Sequence, residues 1–531
     1  REINMLLPDA VSFMYALSMG GLNQLEILEA MAKADDTYGE VALEFRTIVQ
    51  ETNYFDTDYR SAIRSQALNT PSDEMSQFLT DMLSIISSGG NMRDFLSDKK
   101  DKHMRTAKQQ QELTLETLEL FGEMYMTLSL FPLLLIIILV IMRMLGEANQ
   151  LMLLATVYAL IPLTGIGFLV LVSTVKEDDP GDGYLERDGN PESSVEQYDP
   201  GLFNLGLIER FTGSFAIFDR IRNREGTYET IQLLRNPHHF FKENPLYTLG
   251  LTVPATAAFL LSGIVSGRAP TSFSGMISQP VWSTFFYFYL PLYIIGIPLG
   301  VFREWSVRSR RQITNNLSDN LRKLSSANDT GLNLIESIKT VADTSSGKLG
   351  TEFEVIYTKV EYGTSMKNAL IEFNNKYHIP RLARTVKLIS KAQETSSQIT
   401  EVLSTAAQAS ENQDDLERER KSRTRMQVVI IIMTYFTLLA VMAILKVRFL
   451  DVMAGLSSQA AQAGGGGAGA TGGFTGNINS QQLTMMFFHA VTLQGILAGF
   501  ISGYIREADI LAGVKYAVIL PTVALIVFMF I

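Results

Sequence analysis

The chain has 531 residues, 47% of them hydrophobic and 19% charged, with no cysteine, five histidines and a net charge of -10. The lack of cysteine excludes disulfide frameworks, zinc-thiolate sites, iron-sulfur clusters and thiol nucleophiles together, and the negative balance speaks against nucleic acid as the main partner. The apolar residues lie in uncharged runs of about 20 between long polar stretches, the pattern of an integral membrane protein with water-exposed domains.

From the start of the chain, residues 1–123 predict a bundle of about six amphipathic helices. Val41, Phe45, Ile48 and Val49 recur at helical spacing, as do Met75, Phe78, Leu79, Met82, Ile85 and Ile86, and each stripe needs tertiary packing to persist as a helix. Gly89-Gly90 marks a turn before a short helix, and a last helix from about Lys99 runs into the membrane at Met124. Seven spans follow: Met124 to Met142, Gln150 to Val175, Leu246 to Gly267, Val281 to Phe302, Met426 to Leu445, Leu483 to Ile505, and Ile510 to Ile531. The last holds Lys515, expected to snorkel to the interface. Pro132, Pro162, Pro254, Pro291, Pro298 and Pro521 inside these runs predict kinks, not breaks. The first long apolar run begins beyond residue 120, so no signal peptide is visible. A chain opening on Arg1 is expected to lack an upstream piece.

Basic residues near span ends set the expected orientation. Arg303, Arg308, Arg310 and Arg311 follow the fourth span, and Arg418, Arg420, Lys421, Arg423 and Arg425 precede the fifth. They are read as membrane-surface anchors on the cytoplasmic leaflet. Residues 1–123, 176–245 and 303–425 are then cytoplasmic, and 446–482 lies outside. The outer loop contains the glycine tract 463–473, read as a flexible tether.

Residues 1–123 and 303–425 read as copies. Gly21-Leu22-Asn23 with Glu26 aligns with Gly331-Leu332-Asn333 with Glu336 at a shift of 310 positions. Asp56 to Ile63 aligns with Gly363 to Leu370, and Asn91 to Leu96 with Gln398 to Leu403, both at a shift of 307. The resulting fold class is all-α: a polytopic membrane protein of about seven transmembrane helices and two duplicated helical-bundle domains. The expected division is a first domain (1–123), a span pair (124–175), an acidic insert (176–245), a second pair (246–302), a second domain (303–425) and three closing spans (426–531).

The repeated unit, with its G-L-N-x-x-E start, its D/G-T-x-x-x-x-A-I/L middle and its G/S-G/S-x-x-x-D/E-x-L turn, resembles the type II secretion F domain. Two such domains with interleaved spans resemble the assembly-platform proteins of type IV pilus-like machines, most closely their archaeal branch, a relative of the archaellum platform. The resemblance covers nearly the whole chain except 176–245 and the glycine tract. It implies a non-enzymatic scaffold in the cell membrane, working with a cytoplasmic assembly ATPase, pilin subunits, the lipid bilayer and a second copy of itself as a dimer.

Charge is local. Residues 1–122 carry 20 acids and 11 bases, residues 303–425 carry 16 acids and 20 bases, and 176–200 carries 9 acids and 2 bases. The last stretch reads as a solvated, disordered segment. It precedes an expected interfacial helix with Phe211, Phe215, Phe218 and Ile221 on one face and Arg210, Arg220, Arg222 and Arg224 as cations. No catalytic constellation emerges. Ser345-Ser-Gly-Lys348-Leu lacks the glycine spacing and the hydroxyl of a phosphate loop, His238-His239 point apart, and no metal or cofactor is expected. The candidate partner contacts are the repeat-matched acids Glu26, Glu336, Asp94 and Glu401 and the basic stretch Lys99, Lys100, Lys102 and Arg105. The acids also suit helix first turns, where they favour the macrodipole. The expected function is the platform of an archaeal pilus. The alternatives are the archaellum platform and, in a different class, a transporter or channel, which the near absence of charge inside the spans disfavours.

Overall fold

The computed structural model describes residues 1–55, 57–144, 150–175, 181, 183–186, 237–395, 398–450 and 480–531, all of them helix or connecting loop. The helices run in chain order as α1 (Glu2–Met19), α2 (Gln24–Ala32), α3 (Asp35–Phe55), α4 (Tyr59–Asn69), α5 (Asp73–Ser88) and α6 (Met92–Met144). Next come α7 (Gln150–Val175, with one π-helical turn), α8 (Pro237–Glu243), α9 (Thr248–Val265), α10 (Phe273–Ser278), α11 (Pro280–Thr284) and α12 (Leu290–Thr314). The second half holds α13 (Leu317–Asp329), α14 (Leu334–Thr344), α15 (Lys348–Glu361), α16 (Met366–Asn375), α17 (Pro380–Thr395), α18 (Ile399–Ile444), α19 (Ser480–Glu507) and α20 (Val514–Phe530). The expected interfacial helix and the glycine tract lie outside the described residues.

The chain forms two compact units. The first comprises residues 1–113, 178–198 and 308–419, so both copies of the repeat belong to it. Its core is continuous from one copy to the other, joining Leu6, Phe13, Met14, Phe45 and Phe78 of the first to Leu321, Ile338, Phe353, Leu382 and Val386 of the second. The amphipathic stripes read from sequence supply these residues: Val41, Phe45, Ile48, Met75, Phe78, Leu79, Met82 and Ile86 are all buried.

Local chemistry explains where the helices start. At α2, the Asn23 side chain accepts from the Glu26 backbone N–H at 3.0 Å while Glu26 accepts from the Asn23 backbone N–H at 2.8 Å. At α14, Asn333 and Glu336 repeat this capping box. Each box satisfies two helix-end donors that no intrahelical carbonyl reaches. The preceding Gly21 and Gly331 sit at φ +90° and +92°, a left-handed turn that a side chain would oppose. The duplication is therefore geometric as well as textual. Ser72 and Ser365 cap α5 and α16 by accepting from the backbone N–H of Met75 and Asn368.

One expectation is corrected here. No short helix follows Gly89-Gly90; a single helix of 53 residues begins at Met92 and continues through Pro132 to Met144. Between Met92 and Pro132 the sequence holds one glycine, Gly122, and no proline, so nothing ends the helix near Lys99.

The second unit comprises residues 114–177, 199–307 and 420–531. Among the described residues, seven helices are long and apolar enough to cross a membrane, and they fall on the seven runs read from sequence. α19 is the central one. Its most apolar stretch is 67% buried, against 22–39% for the other six, and around it pack Tyr289, Ile431, Tyr435, Leu438, Leu520 and Phe528. Gly495, Gly499 and Gly503 form a stripe at four-residue spacing on α19 that lets a neighbouring backbone approach closely. A Cβ at Gly499 would lie 2.3 Å from the Ala517 backbone nitrogen, and one at Gly503 2.1 Å from that of Gly513.

Candidate functional site

The first unit offers one repeat-matched surface. In the first copy, Ser18, Leu22, Asn23, Leu25, Asn91 and Arg93 line a cleft of about 680 Å³. The capping-box corner of α2 and the first turn of α6 therefore meet across one opening. Arg93 seals its floor by donating to the Ser18 carbonyl at 3.2 Å. In the second copy the same two places meet by different chemistry: Thr400 donates to the Asn328 side chain at 2.8 Å, and Ser325 to the Thr400 carbonyl at 3.1 Å.

The expected acidic contacts sit at these corners and all four are exposed. Glu26 and Glu336 are held by their capping boxes. Asp94 accepts from Asn91 at 2.8 Å in the first turn of α6, and Glu401 occupies the first turn of α18. Each leaves carboxylate surface toward solvent.

The basic stretch divides. Lys99 pairs with Asp81 and lies over the Phe95 ring, and Lys100 lies 4.6 Å from the centre of the Tyr15 ring. Both side chains are about five-sixths buried, which a helical period of 3.6 and a cationic label do not reveal. Lys102 and Arg105 are exposed, and Arg105 joins Lys108, Gln408, Asp415 and Glu419 along a groove of about 540 Å³ between α6 and α18. There Gln111 donates to the Leu416 carbonyl at 3.0 Å.

Between the copies lies a charged seam that sequence reading missed. Arg384 pairs with Asp9 at 2.7 Å, and Lys387 with Asp36 at 2.9 Å. Arg381, on the same helix α17, pairs with Asp414 at 2.7 Å and also donates to Ser410. The only textual signal is that the cations of α17 recur at three- and four-residue spacing, which any solvated face also shows.

Of the nine arginines and lysines expected at the membrane surface, Arg308, Arg310, Arg418, Lys421 and Arg425 are exposed and Arg311, Arg420 and Arg423 half-buried. Arg303 differs. Its guanidinium is buried and donates to Glu507 at 2.6 Å and to Asp509 at 2.9 Å, so its charge is satisfied by protein. Lys515, expected to snorkel, pairs with Glu304 at 2.9 Å and lies 3.6 Å from Glu507. These five charges clasp the end of the fourth span to the turn joining the sixth and seventh.

Inside the spans several polar side chains bond one another, while the buried Ser502 hydroxyl has no hydrogen-bond partner. His489 bonds Tyr158 at 2.5 Å and Thr284 at 2.7 Å through its two ring nitrogens, and Tyr289 bonds Thr492 at 2.8 Å. Among the described residues, no group of three or more histidine or acidic side chains is placed to hold a metal ion. What this chain arranges is surfaces and joints.

The chain aligns over its whole length with 80% of an uncharacterized protein of Methanocaldococcus jannaschii at 20% identity. No solved structure matches it. Two segments, residues 10–140 and 321–445, match the family described as type II secretion system protein F, each beginning within a helical copy and ending within the span that follows it. The chain therefore carries two segments similar to type II secretion system protein F, together just under half of its length, and among its described residues seven helices long and apolar enough to cross a membrane.

Proposed function

We propose that the chain is the assembly platform of an archaeal type IV pilus machine, a scaffold and not an enzyme. In this reading it couples a cytoplasmic assembly ATPase to the insertion of pilin subunits into a growing filament. Both helical copies would face the cytoplasm, and the chain would act as a dimer. The observation that carries the reading is that each copy of the F domain passes into a span through one helix, α6 of 53 residues and α18 of 46. A helix is a hydrogen-bonded rod, so a displacement imposed on its first turns by a partner reaches its apolar end. The archaeal source of the relative matched along the whole chain points the same way.

Deleting the gene should abolish surface pili while pilin accumulates in the membrane; pili of normal number and length would overturn the proposal. Loss of swimming with adhesion intact would reassign the chain to the archaellum, and solute flux through liposomes holding the purified chain would favour a transporter. The partner surface has its own test. Changing Glu26 and Glu336 to glutamine keeps both capping boxes, because an amide oxygen accepts the same bond, yet removes both charges. Co-purification of the ATPase should fall without loss of thermal stability.

A further inference from the structure

Residues 183–186 form a short stretch of the insert whose backbone hydrogen-bonds to side chains of the second copy. The Asn374 side-chain amide donates to the Gly183 carbonyl at 2.8 Å. Asn375 then holds Leu185 from both sides of its backbone: its carbonyl oxygen accepts from the Leu185 N–H at 2.9 Å, and its amide donates to the Leu185 carbonyl at 2.8 Å. A carboxamide used this way imitates a neighbouring β-strand, offering one acceptor and one donor to an extended chain. The Leu185 side chain is 1% exposed and belongs to the core shared by both copies. Tyr184 stacks on His378, with ring planes 14° apart.

The site is selective at Gly183 as well. That residue has φ +68°, and a Cβ there would lie 2.6 Å from the His378 carbonyl carbon and 2.7 Å from the Ile379 nitrogen. Only glycine fits, because both the backbone angle and the space forbid a side chain. The site thus reads a glycine, tolerates an aromatic residue, and buries a leucine two positions after the glycine.

The first copy lacks this apparatus. At the shift of 307 that aligns α4 with α16, Asn374 and Asn375 correspond to Ala67 and Leu68, and Leu68 is largely exposed. Neither side chain can hydrogen-bond a backbone. The two copies have diverged at the positions where the second one grips the insert.

We propose that Asn374, Asn375 and the bend at His378 form a docking site for an extended peptide of the pattern Gly-x-Leu, and that the chain's own segment 183–186 is its resident, releasable occupant. The second copy is then latched to residues 183–186. Three hydrogen bonds and one buried leucine hold a tetrapeptide that is tethered to its site, so it competes at high effective concentration with any free peptide of the same pattern.

The test uses the full chain purified in detergent and a fluorescein-labelled peptide copying residues 182–187. A variant with residues 183–186 replaced by serine should bind this peptide saturably and at least tenfold more tightly than the unaltered chain, whose site is filled. Adding Asn375→Ala to the serine variant should weaken that binding at least tenfold. Equal binding by both chains, no saturable binding to the serine variant at millimolar peptide, or indifference to Asn375 would each overturn the proposal. Hydrogen exchange supplies a readout free of the serine replacement. The Leu185 amide of the unaltered chain should exchange at least a hundredfold more slowly than in the free peptide, and Asn375→Ala should remove that protection while α16 and α17 keep theirs. An unprotected Leu185 amide in the unaltered chain would equally refute the latch.

Discussion

Arg384 of the second copy donates to the carboxylate of Asp9 in the first at 2.7 Å, with both side chains more than four-fifths buried. Gln413 donates to the same carboxylate at 3.1 Å. This joint lies against the shared core, so both ions have little access to water. Removing one partner of a buried pair strands the other, at a cost of about 3–5 kcal/mol, whereas replacing both by apolar residues of similar volume costs far less. Arg384→Ala and Asp9→Ala should therefore each lower the thermal midpoint of the detergent-solubilised chain clearly. The Asp9→Leu, Arg384→Met pair should recover most of the loss, and unchanged melting of the single variants would show that the copies are held together elsewhere.

The clasp at the ends of the spans behaves differently from the lipid anchors beside it. Arg303→Leu takes the guanidinium away from the buried Glu507 carboxylate, with Lys515 standing farther off at 3.6 Å, and should destabilise the membrane unit by about 3–5 kcal/mol. Arg303→Lys should rescue it poorly, since one ammonium cannot serve two carboxylates in the forked geometry of a guanidinium. Arg425→Leu, at an exposed site, should hardly change melting in detergent. Equal effects at positions 303 and 425 would remove the distinction between clasp and anchor.

The glycine stripe of α19 sets the distance to the start of α20. Gly503→Val drives a side chain against the Gly513 backbone, which has no rotamer through which to yield, and should cost at least about 1–3 kcal/mol. Gly167→Ala, where nothing lies within 4 Å, should be neutral or slightly stabilising because alanine favours helix. The check is the fraction of each variant that remains monodisperse after heating in detergent. Comparable survival of the two would dismiss close packing as the role of the stripe.

Acid sensitivity has a named source in His103, which lies on α6 well before its apolar run. Burial lowers its pKa to about 4, helped by Lys102 and Lys99. The folded form therefore keeps the ring neutral while the unfolded chain protonates it near pH 6.5. Stability from this group is complete above pH 6.5 and lost as pH falls from 6.5 toward 4, by up to about 3 kcal/mol from the 1.36 kcal/mol per pKa unit. Asp81 acts lower on the scale. Burial raises its carboxyl, but the bound Lys99 ammonium more than offsets this and leaves it below the usual range. Its contribution is present at neutral pH and fades only below that range. His103→Phe, which keeps a ring against Phe78, should flatten the melting curve between pH 6.5 and 4 and leave the steeper acid limb. An unchanged profile would assign the first limb to another group.

The chain's class, its seven spans and its duplication were legible because they are written in local or periodic patterns. A run of 20 apolar residues states its own length, and Gly-Leu-Asn with a glutamate three positions after the asparagine states a left-handed turn and a capping box wherever it occurs. The same patterns placed Glu26 and Glu336 at helix starts. They could not tell that Lys99 and Lys100 turn inward, because a cation's burial depends on whether a distant Asp81 or Tyr15 meets it. Nor could they pair Arg303 with Asp509, 206 positions away, or seat Leu185 on Asn375, 190 positions away. Such contacts are set by how helices far apart in the chain align side by side, and no spacing within either segment encodes that register. By itself the sequence determined what kind of protein this is and where its helices begin. Only the tertiary structure decided which charges are joints, which remain surface, and that the second copy of the repeat holds residues 183–186.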